Sequence, residues 1–310
     1  MSAAAVGYPL ARKVFITGWI SFLVNLLLVA TGGAVRLTGS GLGCETWPTC
    51  DGTHIVATPE QGIHGLIEFG NRTLSGAVAL AAIAVLWAVW DVRKTRRDLW
   101  WLAVVVGLGV VAQAVVGGFS VLSKLNPFLV GFHYIASVTL VCVMAAFLVR
   151  ANRRPGPRTR VVSPSYARIA WITGVFVVLT IIMGILTTGA GPHSGDTNAV
   201  RNGFNVVVLE HLHAWPAYFT FLGTVALFAG SFRYASRLRG WASTMLLIVL
   251  TQVTVGLIQA NTGLPAILVG IHMVLAALLG ATMTVILLKL SEPAPVAATP
   301  AAEVEVLEVQ

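Results

Sequence analysis

Eight stretches of the sequence, near 14–35, 64–92, 99–121, 129–149, 169–189, 205–231, 241–260 and 265–289, are apolar and nearly free of charge. Each reaches the roughly 17–25 residues a helix needs to cross a hydrocarbon layer of ~30 Å. Inside lipid every backbone N–H and C=O has to be satisfied within the protein, so such segments are helices. With 56% hydrophobic and only 10% charged residues, the chain falls outside ordinary soluble domains, whose charged fraction is nearer a quarter. The first stretch follows Arg12 and Lys13 but leads to no small-residue cleavage site, and it reads as a retained helix.

The formal net charge of +8 would suit nucleic acid if it formed a patch, but its distribution follows the spans instead. Arg12 and Lys13 precede the first span; Arg93, Lys94, Arg96 and Arg97 separate the second and third; Arg150, Arg153, Arg154, Arg158, Arg160 and Arg168 separate the fourth and fifth. Arg233, Arg237 and Arg239 separate the sixth and seventh, and Lys289 closes the eighth, leaving Arg36, Arg72, Lys124 and Arg201 elsewhere. This positive-inside pattern predicts a multi-pass cell-membrane protein with both termini cytoplasmic. Membrane lipid is then the natural anionic contact, and no nucleic acid partner is expected.

Within the spans the sequence repeats. Gln113-x-x-x-Gly117 followed by Leu129-Val130-Gly131-Phe132-His133 returns as Gln252-x-x-x-Gly256 followed by Leu268-Val269-Gly270-Ile271-His272, displaced by 139 residues. The basic, proline-rich linker 150–168 falls between two sets of four spans. A repeat with an even number of spans returns to its starting side, which disfavours an inverted-repeat transporter. The fold expected is an all-α integral membrane protein of eight transmembrane helices, arranged as two tandem four-helix bundles about a pseudo-twofold axis along the membrane normal. The bundles occupy 1–149 and 169–290, and the tail 291–310, rich in Ala, Pro, Val and Glu, is expected to be disordered and cytoplasmic. Extended upstream, the repeat sets Glu68 against Glu210 and Asn71 against His213, and Gly32 to Gly39 loosely against Gly184 to Gly191.

Imidazoles are costly in lipid and normally face the bundle interior. One histidine near a helix end can be mere packing against a neighbouring carbonyl; two from different helices at equal depth carry more weight. His213 and His272 suit the two axial positions of a heme iron. A nonheme metal would want Cys-x-x-Cys, His-x-x-x-His or a carboxylate triad, and none accompanies them. A proton relay through Glu210 and His213 is the rival. In the amino-terminal half His133 answers His272, but Asn71 stands where the repeat asks for histidine, and asparagine is a poor iron ligand. His64, Glu68 and Asn71 share one helix face, which makes His64 the local substitute. Glu68 is a candidate proton acceptor or stabiliser of positive charge, unless its carboxyl is spent on Arg72 or Arg36. Of the three cysteines, Cys142 lies within the fourth span as a small apolar residue. Cys44 and Cys50 share a loop on the side opposite the basic residues, where a disulfide, an exchanging dithiol or unpaired thiols are the alternatives.

Gly33-Ala-Val-Arg-Leu-Thr-Gly-Ser-Gly-Leu-Gly-Cys44, Trp47-Pro-Thr-Cys50, Ile67-Glu-Phe-Gly-Asn-Arg72 and the histidine copies at His133 and His272 together resemble the heme A synthase family, over about residues 14–290. The resemblance implies an oxidoreductase that converts the C8 methyl of heme O to the formyl group of heme A, through a hydroxymethyl intermediate, for cytochrome oxidase. It implies His213 and His272 as axial ligands of a resident heme b, with the heme sites toward the outer face. His133 and Glu68 would belong to the heme O half, beside His64 and Asn71, and Cys44 and Cys50 would form a disulfide. Arg36 and Arg72 read as propionate partners, because guanidinium meets carboxylates bidentately, or as ion pairs to Glu68 or Glu45. A heme O synthase is the upstream partner by analogy, and a homo-oligomer is left open. The runner-up is a di-heme b electron-transfer cytochrome that modifies no heme; a heme exporter would want helix breaks at mid-membrane, whereas the glycines cluster at the outer end.

Overall fold

The structure is a computed structural model that describes residues 10–294. Its helices are α1 (Arg12–Leu37), α2 (Gly62–Val89), α3 (Arg97–Leu122), α4 (Pro127–Ala151), α5 (Pro164–Ala190), α6 (Val206–Tyr234), α7 (Arg239–Asn261) and α8 (Ala266–Lys289). All eight are long and apolar enough to cross a membrane. Three starts are set by side chains. Asn126 and Asn205 each accept two backbone N–H bonds at the heads of α4 and α6, and Ser163 caps α5 ahead of Pro164. Because Arg150 and Ala151 continue α4 while Ser163 caps α5, the connection between the halves is 152–163, shorter than the expected 150–168.

The helices α1 to α4 close a ring in which α1 packs on α2 and α4, and α3 bridges α2 and α4; α5 to α8 close a second ring in the same order. The rings meet along α4 and α8, flanked by α1 against α8 and α4 against α5. On that seam the Tyr134 hydroxyl donates to the Met273 carbonyl at 2.6 Å, joining two residues separated by the 139-residue repeat interval. Leucine and tryptophan side chains such as Leu80, Trp87, Trp101, Leu108, Leu222 and Leu247 cover the outward surface, as lipid contact requires.

One end of the molecule carries the cysteine loop and the other the basic connections. Buried residues of the amino-terminal core, among them Val14, Val85, Leu99, Val106 and Phe147, all lie toward the basic end, and so do Tyr166, Leu227, Met245, Met283 and Ile286 of the second core. A third core, including Val138, Val141, Ala277 and Ala281, fills the seam. Apolar packing thus anchors the basic half of each ring and leaves the cysteine-loop half to its polar residues.

At the basic end the disorder expected from 291 does not hold for the first residues of the tail. Ser291–Pro293 form a strand, β2, antiparallel to β1 (Arg158–Arg160). The unpaired carbonyls ending α8 are the reason: Leu290 accepts from the Val161 N–H, and Arg153 Nη1 donates to Leu288 and Ser291. Burial, and then the charges of Arg150 and Arg153, push the Arg158 guanidinium below its usual range. The remainder of the expected tail, 295–310, and residues 1–9 lie outside the described residues.

Candidate functional site

Three histidines lie at matching depth below the cysteine-loop end. His133, His213 and His272 follow the first residues of α4, α6 and α8 by six or seven positions, a depth of roughly 10 Å at helical rise. The structure brings His213 and His272 together, with ring centroids 6.3 Å apart and planes at 68°. Two metal–imidazole bonds of about 2 Å, each extended by about 1 Å to a ring centre, place opposed imidazoles roughly 6 Å apart. The pair therefore has the spacing for one metal ion between two imidazoles. Among the described residues no three or more His, Cys, Asp and Glu side chains gather to hold a bare ion; a porphyrin's own nitrogens would complete this ligand set.

The surroundings of the pair fit that use. His213 Nδ1 lies 3.0 Å from the Thr180 carbonyl; a carbonyl only accepts, so the proton sits on Nδ1 and Nε2 is bare for ligation. Among the described residues His272 Nδ1 is buried without a hydrogen-bond partner. Gly184 admits the His213 ring: a Cβ there would stand 3.0 Å from Cε1 and 3.2 Å from Nδ1. Gly184→Ala should consequently displace the His213 ring while leaving the fold intact, and would lower retention of a cofactor held by the pair about tenfold, as outer-shell changes do; absorbance of the purified variant relative to protein measures it. Neither Thr180, which acts through its backbone, nor the role of Gly184 carried a sequence signal stronger than the loose repeat.

In the amino-terminal half the parallel is partial. A Cβ on Gly117 would stand 3.4 Å from His133 Cε1 just as one on Gly256 would stand 3.4 Å from His272 Cε1, and among the described residues His133 Nδ1 is likewise buried and unpartnered. Gln113 Nε2 donates to the His133 carbonyl at 2.9 Å and to Ser137 Oγ at 2.5 Å. Asn71, however, accepts from the Thr31 hydroxyl at 2.8 Å, and His64 is exposed near the head of α2 with Nδ1 2.9 Å from Ser40 Oγ. Neither hydrogen-bonds to His133 among the described residues. His64 stands seven residues, roughly 10 Å of helix, nearer the cysteine-loop end than Asn71, so it shares a face with Asn71 but not its depth.

Glu68 is buried, whereas its repeat partner Glu210 is exposed. Its Oε2 accepts from the Cys44 N–H at 2.8 Å and its Oε1 from Arg72 Nη2 at 2.6 Å. Arg72 extends the clasp to the carbonyls of Cys44 and Thr49, both at 3.1 Å. Cys44 and Cys50 are joined in a disulfide, so the ion pair pins a cross-linked loop onto α2. Hydrogen bonds from His54 and Thr53 hold the Asp51 carboxyl, at the tip of this loop, well below the usual carboxylate range. Among the described residues Arg36 meets no carboxylate: Nε donates to the His193 carbonyl, in the loop after α5, at 2.7 Å and Nη2 to the Thr188 carbonyl, in the last turn of α5, at 3.1 Å. Glu45 instead lines a cleft of about 580 Å³ with Leu42, Glu60, His64 and Asp196.

The family model described as "Cytochrome oxidase assembly protein", COX15-CtaA, matches residues 16–284. The chain is 26% identical over 277 residues to a heme A synthase of Staphylococcus epidermidis, covering 82% of this chain and 89% of the relative. It is 25% identical over 286 residues to heme A synthases of Listeria monocytogenes and Listeria innocua, covering 85% of this chain and 89% of each relative.

Proposed function

From the premise that the chain belongs to the COX15-CtaA family of cytochrome oxidase assembly proteins, we propose that it is a heme A synthase, oxidising the C8 methyl of heme O to a formyl group through a hydroxymethyl intermediate. The observation that carries this reading is the 6.3 Å His213–His272 pair in a chain whose repeat supplies a second, differently furnished histidine at His133. His213 and His272 would hold a resident heme b, which when bound accepts and passes single electrons.

His133 marks the substrate half and binds heme O from α4, with Asn71 on the facing helix and His64 at the mouth. Glu68 stabilises positive charge at the methyl-bearing edge and takes its proton on Oε2, the oxygen that Arg72 leaves free. Arg72 holds that carboxylate in place and closes the disulfide loop over the half, which excludes water. Arg36, whose Nη1 makes no hydrogen bond among the described residues, is at the same end to meet a propionate. The two halves are related by a pseudo-twofold axis through the Tyr134–Met273 contact, which the matching Gly117–His133 and Gly256–His272 approaches support. The basic end faces the cytoplasm of a cell membrane and the heme sites lie toward the outer face; a heme O synthase is the supplying partner.

The test is to purify the protein from cells that also make heme O, extract its hemes and separate them with mass detection. Heme b together with heme O, the hydroxymethyl heme or heme A is the expected result. Heme b alone, two per chain and unexchanged, would overturn synthesis in favour of an electron-transfer cytochrome.

A further inference from the structure

The two histidine sites differ on one wall in a way the reaction does not by itself require. Among the described residues five buried side-chain polar atoms lack a hydrogen-bond partner, and three of them are Gln252 Oε1, Gln259 Oε1 and His272 Nδ1. Gln252, Gly256 and Gln259 form one stripe of α7, at helical spacings of four and three, and Gly256 lies beside His272. A Cβ on Gly256 would lie 3.4 Å from His272 Cε1 and 3.9 Å from Nδ1, whereas on Gly117 the second-nearest atom of His133 is Nε2, at 3.9 Å. The rings are thus turned oppositely: His272 shows Nδ1 to its glycine-bearing helix and His133 shows Nε2.

Side-chain direction chooses between the glutamines. A helical side chain leans toward the helix N-terminus and covers the turn before its own Cα. Gln259 therefore leans back over Gly256, at the level of His272 Nδ1. Gln252 leans a turn deeper, as Gln113 does where it meets the His133 carbonyl and Ser137 Oγ; Ala276 replaces Ser137 in the second half and removes that anchor. In the first half the counterpart of Gln259 is Ser120, whose short hydroxyl is spent on the Val116 carbonyl.

We propose that Gln259 is a positioning residue for the axial ligand His272: its amide oxygen accepts the Nδ1 proton, directly or through one water, fixing the tautomer that leaves Nε2 for iron. This rests on the assignment of a resident heme to His213 and His272. A ligating histidine whose second nitrogen is hydrogen-bonded is a stronger and better oriented donor. Only the carboxy-terminal half has a side chain of the length to do this, which gives a physical reason for one half to retain its heme and the other to exchange it.

The experiment uses the full chain with its bound heme and reads the midpoint potential and the heme dissociation rate. Gln259→Leu, nearly the same volume, should raise the potential, because a less electron-rich imidazole stabilises the ferric state less, and should speed heme loss about tenfold. Gln259→Glu, a stronger acceptor, should lower the potential, and Ser120→Ala should change neither quantity. A potential unmoved by Gln259→Leu and Gln259→Glu, in protein that keeps a bis-histidine low-spin spectrum, would overturn the proposal while sparing the heme assignment. A low-spin spectrum that survives His272→Ala would overturn both.

Discussion

On the proposed assignment of a heme b to His213 and His272 and of heme O to His133, His272→Ala is expected to reduce bound heme b to under about a tenth of the wild-type content, while His133→Ala is expected to leave it in place and abolish only retention of heme O. The contrast follows from the proposed site. The rings of His272 and His213 lie 6.3 Å apart, so for a heme held between them removing one would leave its iron a single protein ligand, and iron held on one side would be lost far more readily. His133 sits on α4, in the other ring of helices. Stability should follow occupancy: a ligand present at a hundred times its dissociation constant contributes about 2.7 kcal/mol, and His272→Ala forgoes that amount. Visible absorbance normalised to protein, with a melting curve on the same sample, reads both effects. Unchanged heme b content in His272→Ala would remove the axial assignment.

Glu68→Gln should slow formation of the hydroxymethyl product by two or more orders of magnitude, the range that general acid–base groups span, while the cysteine loop stays seated. The amide oxygen can still accept from one of the two donors that the carboxylate meets, the Cys44 N–H at 2.8 Å or Arg72 Nη2 at 2.6 Å, and the disulfide and the Arg72 bonds to the Cys44 and Thr49 carbonyls still hold the loop. Glu68→Ala is a harsher change. The Glu68 side chain is 6% exposed and Arg72 20%; both changes remove the counter-charge of a guanidinium largely withdrawn from water, but Glu68→Ala also leaves the Arg72 and Cys44 donors with no side-chain acceptor, at a cost on the order of 3 kcal/mol. Pairing the changes separates the two duties. The double variant Glu68→Gln with Arg72→Gln should recover the stability that Glu68→Ala loses and none of the activity. Recovery of activity along with stability would mean that Glu68 serves only as the clasp of the loop. Product ratios from extracted hemes and melting temperatures are the measurements.

The ion pair illustrates how far the sequence could be read. Glu68 and Arg72, four apart on a helix, were open to several partners: each other, Arg36, Glu45 or a propionate. Helical spacing alone favours the mutual pair, and the structure forms it. That the same pair also grips the carbonyls of Cys44 and Thr49 depends on where an irregular loop folds back, for which periodicity holds no information. Arg36 shows the reverse. Its charge suggested a carboxylate, but it meets two backbone carbonyls instead, Thr188 in the last turn of α5 and His193 in the loop that follows, more than a hundred residues on.

Length and apolarity by themselves determined eight membrane-length helices, because a backbone in lipid has no other way to satisfy its hydrogen bonds over such a run. The 139-residue repeat located His133 and His272 at one depth, since depth along a helix is proportional to residue number. What only the tertiary structure decided is which groups meet across helices. His213 faces His272, Asn71 is committed to Thr31, and His64 turns to Ser40 at the mouth of the site. The turn of an imidazole, Nδ1 toward α7 in one half and Nε2 toward α3 in the other, is set by packing between helices that are distant in sequence. A repeat in sequence can therefore specify two sites at equal depth and still leave their chemistry to be distinguished by the walls around them.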